Sequence, residues 1–278
     1  MKNFIVATST LFILFLNTFK CISQSISSNQ AIVKSTLNIS STDEEDIQDQ
    51  GRESGRMGMR NMMEGEIKLT NYTKNTLSKM VIESDFINSS VYRDESQKTT
   101  TTIMEIMGQK LGFYTNDDEM AKMIQTRDSL IRQKRSAEND LILNPDVSVS
   151  ITQETKTIAG FACKKAYVIT KKPETSDTAV IWFTSEIKLQ NSLSTSSRAI
   201  IGMIPGLPGA FKKMEKIDGF ITKCEISLPR GLKMEMEVNK IDLKSDISDN
   251  EFQLPRNVDI KPMSEMRNMF GGMFRGGM

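Results

Sequence analysis

The side chains best suited to chemistry here are three cysteines, 19 methionines and the carboxylates, for the chain has no histidine. That absence removes the usual general base near neutral pH and the commonest ligand for zinc or copper. Catalysis would fall to carboxylates, lysine, tyrosine or cysteine, and none of these forms a recognisable catalytic constellation or cofactor motif. The expectation is a protein that is not an enzyme and carries no cofactor. Cys163 and Cys224 each sit on a face with aromatic and aliphatic residues. A nucleophilic cysteine needs a neighbour that lowers its pKa. Lys164 and Lys165 follow Cys163, but adjacent residues of a strand point to the opposite face or along it. Two readings stay open for the pair: a disulfide, or two buried thiols packed as small hydrophobes. Methionine clusters at Met57, Met59, Met62 and Met63, and again at Met263, Met266, Met269, Met273 and Met278. Thioethers suit copper(I), yet no histidine or cysteine accompanies either cluster. No metal site is assigned, and flexible filler is the plainer role.

The elements that must hold these residues read mainly as strands. Ile67 and Leu69 alternate with polar neighbours, as do Met80, Ile82 and Phe86, and Val147, Val149 and Ile151. Residues 161–170 and 178–184 are rich in β-branched and aromatic types. Phe220, Cys224, Ile226 and Leu228 fall on one face of a further strand. Leu232, Met234, Met236 and Val238 alternate with Lys233, Glu235 and Glu237. Pro229-Arg230-Gly231 is a turn signal between these last two strands and predicts a hairpin. One helix is expected from Met120 to Arg135, with Met120, Met123, Ile124 and Ile131 on one face. Strands with one apolar face each, plus a helix, predict a mostly β, α+β fold. Its expected form is a curved antiparallel sheet or half-barrel with one or two helices as a lid.

The ends differ from this middle. Lys2, the apolar run from Phe4 to Phe19 and the small and polar residues Cys21-Ile22-Ser23-Gln24 read as a secretory signal. Cleavage after Ser23 leaves residues 1–23 as the signal peptide. Cys21 lacks the small apolar residues that precede a lipid-modified cysteine, since Thr18-Phe19-Lys20 stand there. The apolar run is short for a span, so no transmembrane segment is expected after cleavage. The predicted location is exported, in the periplasm or associated with the outer membrane. Losing Lys2 and Lys20 moves the net charge from +1 to −1. This balance leaves no basic footprint for nucleic acid. Residues 24–60, rich in Ser, Asn and Gln and carrying Asp43-Glu44-Glu45-Asp46, read as disordered. Residues 61–256 read as a single β-rich domain, and 257–278 as a flexible tail rich in Met and Gly.

Three segments stand out in order. Thr157-Ile158-Ala159-Gly160-Phe161-Ala162-Cys163-Lys164-Lys165-Ala166 is followed by Val180-Ile181-Trp182-Phe183-Thr184-Ser185-Glu186-Ile187, and then by Pro205-Gly206-Leu207-Pro208-Gly209. Together they resemble the GLPGLI family and related exported proteins of Gram-negative bacteria described as domains of unknown function. The chain departs from the family pattern at Ala210-Phe211, where Leu-Ile would follow, and lacks the Gly-Pro before this loop. It resembles the wider group more than its central members. What the resemblance implies is a lipoprotein-carrier-like fold, a half-open β-barrel over a helical lid. It supplies no catalytic residue or cofactor.

Two functions from different classes follow. The first is a binding protein that holds an apolar or lipid-like ligand in a half-barrel cavity. Phe220, Ile226, Leu232, Met234, Met236 and Val238 are the candidate lining, although an ordinary dry core would use the same residues. The second is an envelope or surface module that binds proteins through a sheet edge or the Met-rich tails, with no small-molecule ligand.

Overall fold

The computed structural model describes residues 25–41, 65–85, 88–106, 108–134, 146–171, 176–189, 217–228 and 232–265. In chain order the strands begin with β1 (Ile26–Ser28), β2 (Gln30–Ser41), β3 (Gly65–Lys74), β4 (Leu77–Glu83), β5 (Asn88–Asp94), β6 (Thr99–Ile106) and β7 (Gln109–Asn116). Helix α1 (Asp117–Lys134) follows β7 directly. The second series is β8 (Asp146–Ile158), β9 (Phe161–Lys171), β10 (Ser176–Thr184), β11 (Ile187–Leu189), β12 (Phe220–Leu228) and β13 (Leu232–Asp242). A 3-10 turn (Asp249–Phe252) and β14 (Ile260–Pro262) complete it.

Twelve of these strands form one curved, open sheet in the order β14-β7-β6-β5-β4-β3-β2-β13-β12-β10-β9-β8. Every neighbouring pair is antiparallel except β14 with β7, and β1 and β11 form a separate parallel pair. The fold is mostly β, as the alternation predicts. Strands β3 to β7 make one meander and β8, β9, β10, β12 and β13 another, and β2 joins them by pairing with β3 on one side and β13 on the other. Register shifts at Ile151/Thr155, Trp182/Phe183 and Val238/Lys240 fall in the second half. Such bulges bend a strand and increase its twist, which suits a curved sheet.

Local chemistry explains several connections. Ala159 and Gly160 both have positive φ, at 50° and 89°, in the two-residue turn that joins β8 to β9. That turn matches the right-handed twist of the flanking strands. At the β5–β6 connection the Asp94 carboxylate accepts from the backbone N–H groups of Ser96 at 2.8 Å and Gln97 at 3.2 Å. Asn116 caps α1, its side-chain oxygen accepting from the Glu119 N–H at 2.8 Å. Asp117, Asp118 and Glu119 then place negative charge in the first turn, where the helix dipole favours it.

Expected elements fall into place along most of the chain. The β12–β13 hairpin pairs Leu228 with Leu232, and α1 covers the helix predicted from Met120, with Met120 and Met123 half-buried. Residues 229–231, Phe86 and Arg135 lie outside the described residues.

Two expectations are corrected. Residues 30–41, within the segment read as disordered, form the interior strand β2. Their apolar content is low, but Ala31, Val33, Leu37 and Ile39 alternate strictly with more exposed neighbours and are buried. One buried face per strand is all that a sheet requires. The tail read as flexible from residue 257 supplies β14, whose Ile260 pairs with Gly112 and Pro262 with Tyr114. Residues 1–24, 42–64 and 266–278 lie outside the described residues, and the signal peptide and most of the methionine clusters lie among them.

Candidate functional site

Register decides what the predicted site residues can do together. Cys224 pairs with Ile181 on β10, and Ile181 pairs with Ala166 on β9. Cys163 therefore lies two strands from Cys224 and three residues further along β9. Two strand spacings alone amount to roughly 10 Å. A disulfide needs Cα atoms within about 7 Å, so this pair cannot be bridged. The disulfide reading is corrected: both are free, fully buried thiols. Burial pushes the Cys163 thiol up, and pushes Cys224 up to about 12. The Thr222 hydroxyl lies 3.2 Å from Cys163 Sγ, and the Cys163 thiol donates to the Phe161 carbonyl at 3.4 Å. Such thiols are poor nucleophiles.

The six candidate lining residues lie on the β12–β13 hairpin and divide between two packed clusters. Ile226 and Met234 belong to a core cluster with Leu37, Ile39, Ile181 and Cys224, against which Leu232 and Met236 pack. Phe220 and Val238 belong to a second cluster with Ala31, Val33 and Ile187. All six are core packing residues, and sequence alternation alone cannot separate a packed core from a cavity wall.

The register exposes a different constellation on the other half of the sheet. Asn71 pairs with Val33 and Met80, and Met80 pairs with Val91. One row away, Thr73 pairs with Ser78, Ser78 with Arg93, Arg93 with Thr100, and Thr100 with Thr115. These rows lie on the buried face, where Met80, Val91, Met104 and Phe113 are also buried. Arg93 is the centre of the polar row. Its Nη1 donates to Asp117 at 2.6 Å, and its Nη2 donates to the other oxygen of that carboxylate at 3.0 Å. Nη2 also donates to Glu95 at 2.7 Å, and Nη1 lies 3.3 Å from the Thr100 hydroxyl. Hydrogen bonds to Asp117 and Glu95 hold the guanidinium well above its ordinary pKa. This arrangement ties the first residue of α1 to the middle of the sheet.

Sequence reasoning missed Arg93, Glu95, Asn71 and Asp117. A signal for Arg93 was present: Ser89, Val91 and Arg93 share one parity in β5, so an arginine occupies a core-facing position. Its partners come from a loop and a helix start and carry no spacing signature.

The opposite face carries a shallow cleft of about 320 Å³, whose lining includes Val81, Tyr92, Ile103, Glu105, Lys110 and Pro255. Beside it, the Lys79 ammonium sits 5.6 Å from the Tyr72 ring and 5.7 Å from the Tyr92 ring, and pairs with Glu251 at 3.0 Å. Among the described residues, no group of three or more His, Cys, Asp or Glu is placed to hold a metal ion. No described helix is long and apolar enough to cross a membrane.

The segments that carry the GLPGLI resemblance build the β8–β9 hairpin, and β10 with the start of β11, while Pro205–Gly209 lies outside the described residues. No family model matches the chain, and no curated protein matches it. Among solved structures, PNGF-II aligns over 87% of this chain and 33% of its own, with a TM-score of 0.39 and 12% identity. The present chain thus spans a third of that protein's length. A LolA superfamily protein, NE2245 from Nitrosomonas europaea, aligns over 83% of this chain and 92% of its own, with a TM-score of 0.29 and 10% identity.

Proposed function

We propose that this chain is an exported, non-catalytic binding protein that holds an apolar or lipid-like ligand against the buried face of its open sheet. One observation carries the reading. Met80, Val91, Met104 and Phe113, on four neighbouring strands, form a buried apolar surface that belongs to neither packed core cluster among the described residues. These residues replace the six of the β12–β13 hairpin as the candidate ligand-facing wall. These four side chains are only 1–4% exposed, so a ligand held there has to displace what covers them. The signal-like N-terminus supports an exported protein, in the periplasm or at the outer membrane. The hairpin segments support kinship with GLPGLI-like exported proteins.

Native mass spectrometry of residues 24–278, purified without detergent from the exported fraction, tests the reading. A discrete extra mass, released by organic solvent and identified as lipid, is the expected result. A clean polypeptide mass would overturn it.

A protein-binding role is favoured by one different feature. β8 forms an edge of the twelve-stranded sheet, and Ile151 on it is 57% exposed. Edge strands are templates for pairing with another chain. Ile151→Lys would then weaken capture of an envelope partner and leave any bound lipid mass unchanged.

A further inference from the structure

Among the described residues β8 is one edge of the twelve-stranded sheet and β14 is the other. β14 is three residues long and ends at Pro262, which has no N–H to donate. β8 runs for 13 residues, and the stretch from Val147 to Gln153 contains no charge and no proline. Those are the devices that usually blunt an edge against pairing. The register shift between Ile151 and Thr155 confines regular pairing in this part of β8 to residues 146–151.

The hairpin fixes which backbone groups face outward. The two-residue turn Ala159-Gly160 closes on the Ile158–Phe161 pair, whose N–H and C=O groups face each other. Alternation along β9 then directs the backbone groups of Cys163, Lys165, Tyr167 and Ile169 toward β8. The Thr152 hydroxyl donates to the Lys165 carbonyl at 3.3 Å, in agreement with that phase. Ser150 opposes Tyr167 and Ser148 opposes Ile169, so the two serines bond to β9. Val147, Val149 and Ile151 therefore aim their N–H and C=O groups at the open side. Their side chains lie on the core face. Val147 and Val149 pack against the cluster that holds Ala166 and Val168, while Ile151, opposite Ala166, is 57% exposed.

Resting on the edge-pairing reading of β8 above, we propose that its partner is a second copy of this chain, with the two β8 strands antiparallel about a two-fold axis at Val149. The segment is its own complement in that register. Val149 meets Val149, Val147 meets Ile151 and Ser148 meets Ser150, so apolar side chains extend the core face and hydroxyls line the other. Asp146 then opposes Thr152. Centring the axis on Ser150 instead sets Asp146 against Glu154, two like charges, and draws the bulge into the ladder. The short, proline-ended β14 offers β8 no ladder of matching length, so pairing closes at a dimer and does not grow head to tail. A ladder of about five residues is a small contact, and the dimer is accordingly weak.

Sedimentation velocity of residues 24–278 from about 5 to 500 µM, with residue-resolved amide exchange at both ends of that range, tests the pairing. Dilute protein should be monomeric, with fast exchange at Val147, Val149 and Ile151. Concentrated protein should sediment as a dimer and slow those three amides at least about tenfold, while Ser148 and Ser150 stay protected throughout. Ile151→Lys, at an exposed position, should weaken dimerisation at least about tenfold. A monomer at every concentration with the three amides fast overturns the second copy and leaves the edge open to another partner. A monomer with the three amides slow means that the chain covers its own edge, which overturns the edge-pairing reading as well. A dimer that leaves those amides fast, or that Ile151→Lys does not weaken, is joined elsewhere and also overturns the proposal.

Discussion

Arg93 shows how one side chain can couple a helix to a sheet. Its guanidinium is nearly excluded from solvent, while Asp117 is half exposed and Glu95 about a quarter exposed. A buried charge that loses a partner costs more than an exposed pair gains, because the remaining ion stays desolvated. Asp117→Asn should therefore lower stability by about 1–3 kcal/mol, read as a shift in the urea midpoint with unchanged slope. An unchanged midpoint would mean that the α1 start is not held by this contact. A second residue sets a pH dependence. Burial raises the Cys224 thiol to about 12, whereas an unfolded thiol titrates near 8.5. Its contribution is complete below the unfolded value. As the pH rises above it, the unfolded state loses its proton first and stability falls. The loss runs at about 1.4 kcal/mol per pH unit until the folded thiol itself ionises near 12. Cys224→Ala should flatten this alkaline decline relative to the wild type, measured by urea titrations at pH 8 to 11. Parallel curves for the two proteins would contradict the buried-thiol account.

At the level of elements, the β8–β9 hairpin isolates the cost of a backbone shape. Ala159 adopts φ 50° and Gly160 φ 89°, conformations that β-carbons resist and that Asn-Gly pairs adopt readily. Ala159→Asn should stabilise the protein by about 0.5–1 kcal/mol, and Gly160→Ala should destabilise it by about 1–2 kcal/mol, in thermal or urea melts. The same sign for both changes would rule out turn strain as the cause. Gly112 poses a different constraint, close approach. A Cβ there would lie 2.9 Å from Ile260 Cγ1 and 3.0 Å from Val258 Cγ1. Gly112→Ala should loosen β14 from β7, seen as faster amide exchange at Ile260 and Lys261 with the rest of the sheet protected. Elements with a strict period were legible in the sequence. Leu232 to Val238 alternate without a break, and Phe161 to Thr170 are dense in strand formers. Strand β5, Asn-Ser-Ser-Val-Tyr-Arg-Asp, hides its parity because serine and arginine take buried positions beside valine. The candidate site was illegible for a related reason. Arg93 and Asp117 meet through a strand position and a helix start, and neither leaves a spacing in the chain.

Over the whole molecule, β2 is the keystone. Among the described residues the two meanders share no other interstrand ladder, and β2 pairs with β3 through ten residues and with β13 along nearly its full length. Ile32 opposes Asp242 and Ser41 opposes Leu232, so the seam closes only when segments near opposite ends of the chain meet. Pairings of such long sequence separation form late and slowly, since the chain entropy is lost before the contacts form. Low mean apolar content in residues 24–60 invites the inference that this region is dispensable, and the topology implies the opposite. A chain starting at residue 61 loses Ala31, Val33, Leu37 and Ile39 from the two core clusters. It also leaves β3 and β13 as unpaired edges facing one another, which invites aggregation. The truncated chain should show no cooperative thermal transition by far-UV circular dichroism, whereas the chain starting at residue 24 should melt cooperatively. Adding a peptide of residues 25–41 in trans should restore the transition, because a strand can be donated between two open edges. A truncated chain that melts within a few degrees of the longer one would show that each meander is stable without the seam. The wall proposed on β4 to β7 would then be a self-sufficient half, and the proposed lipid binding could be tested without β2.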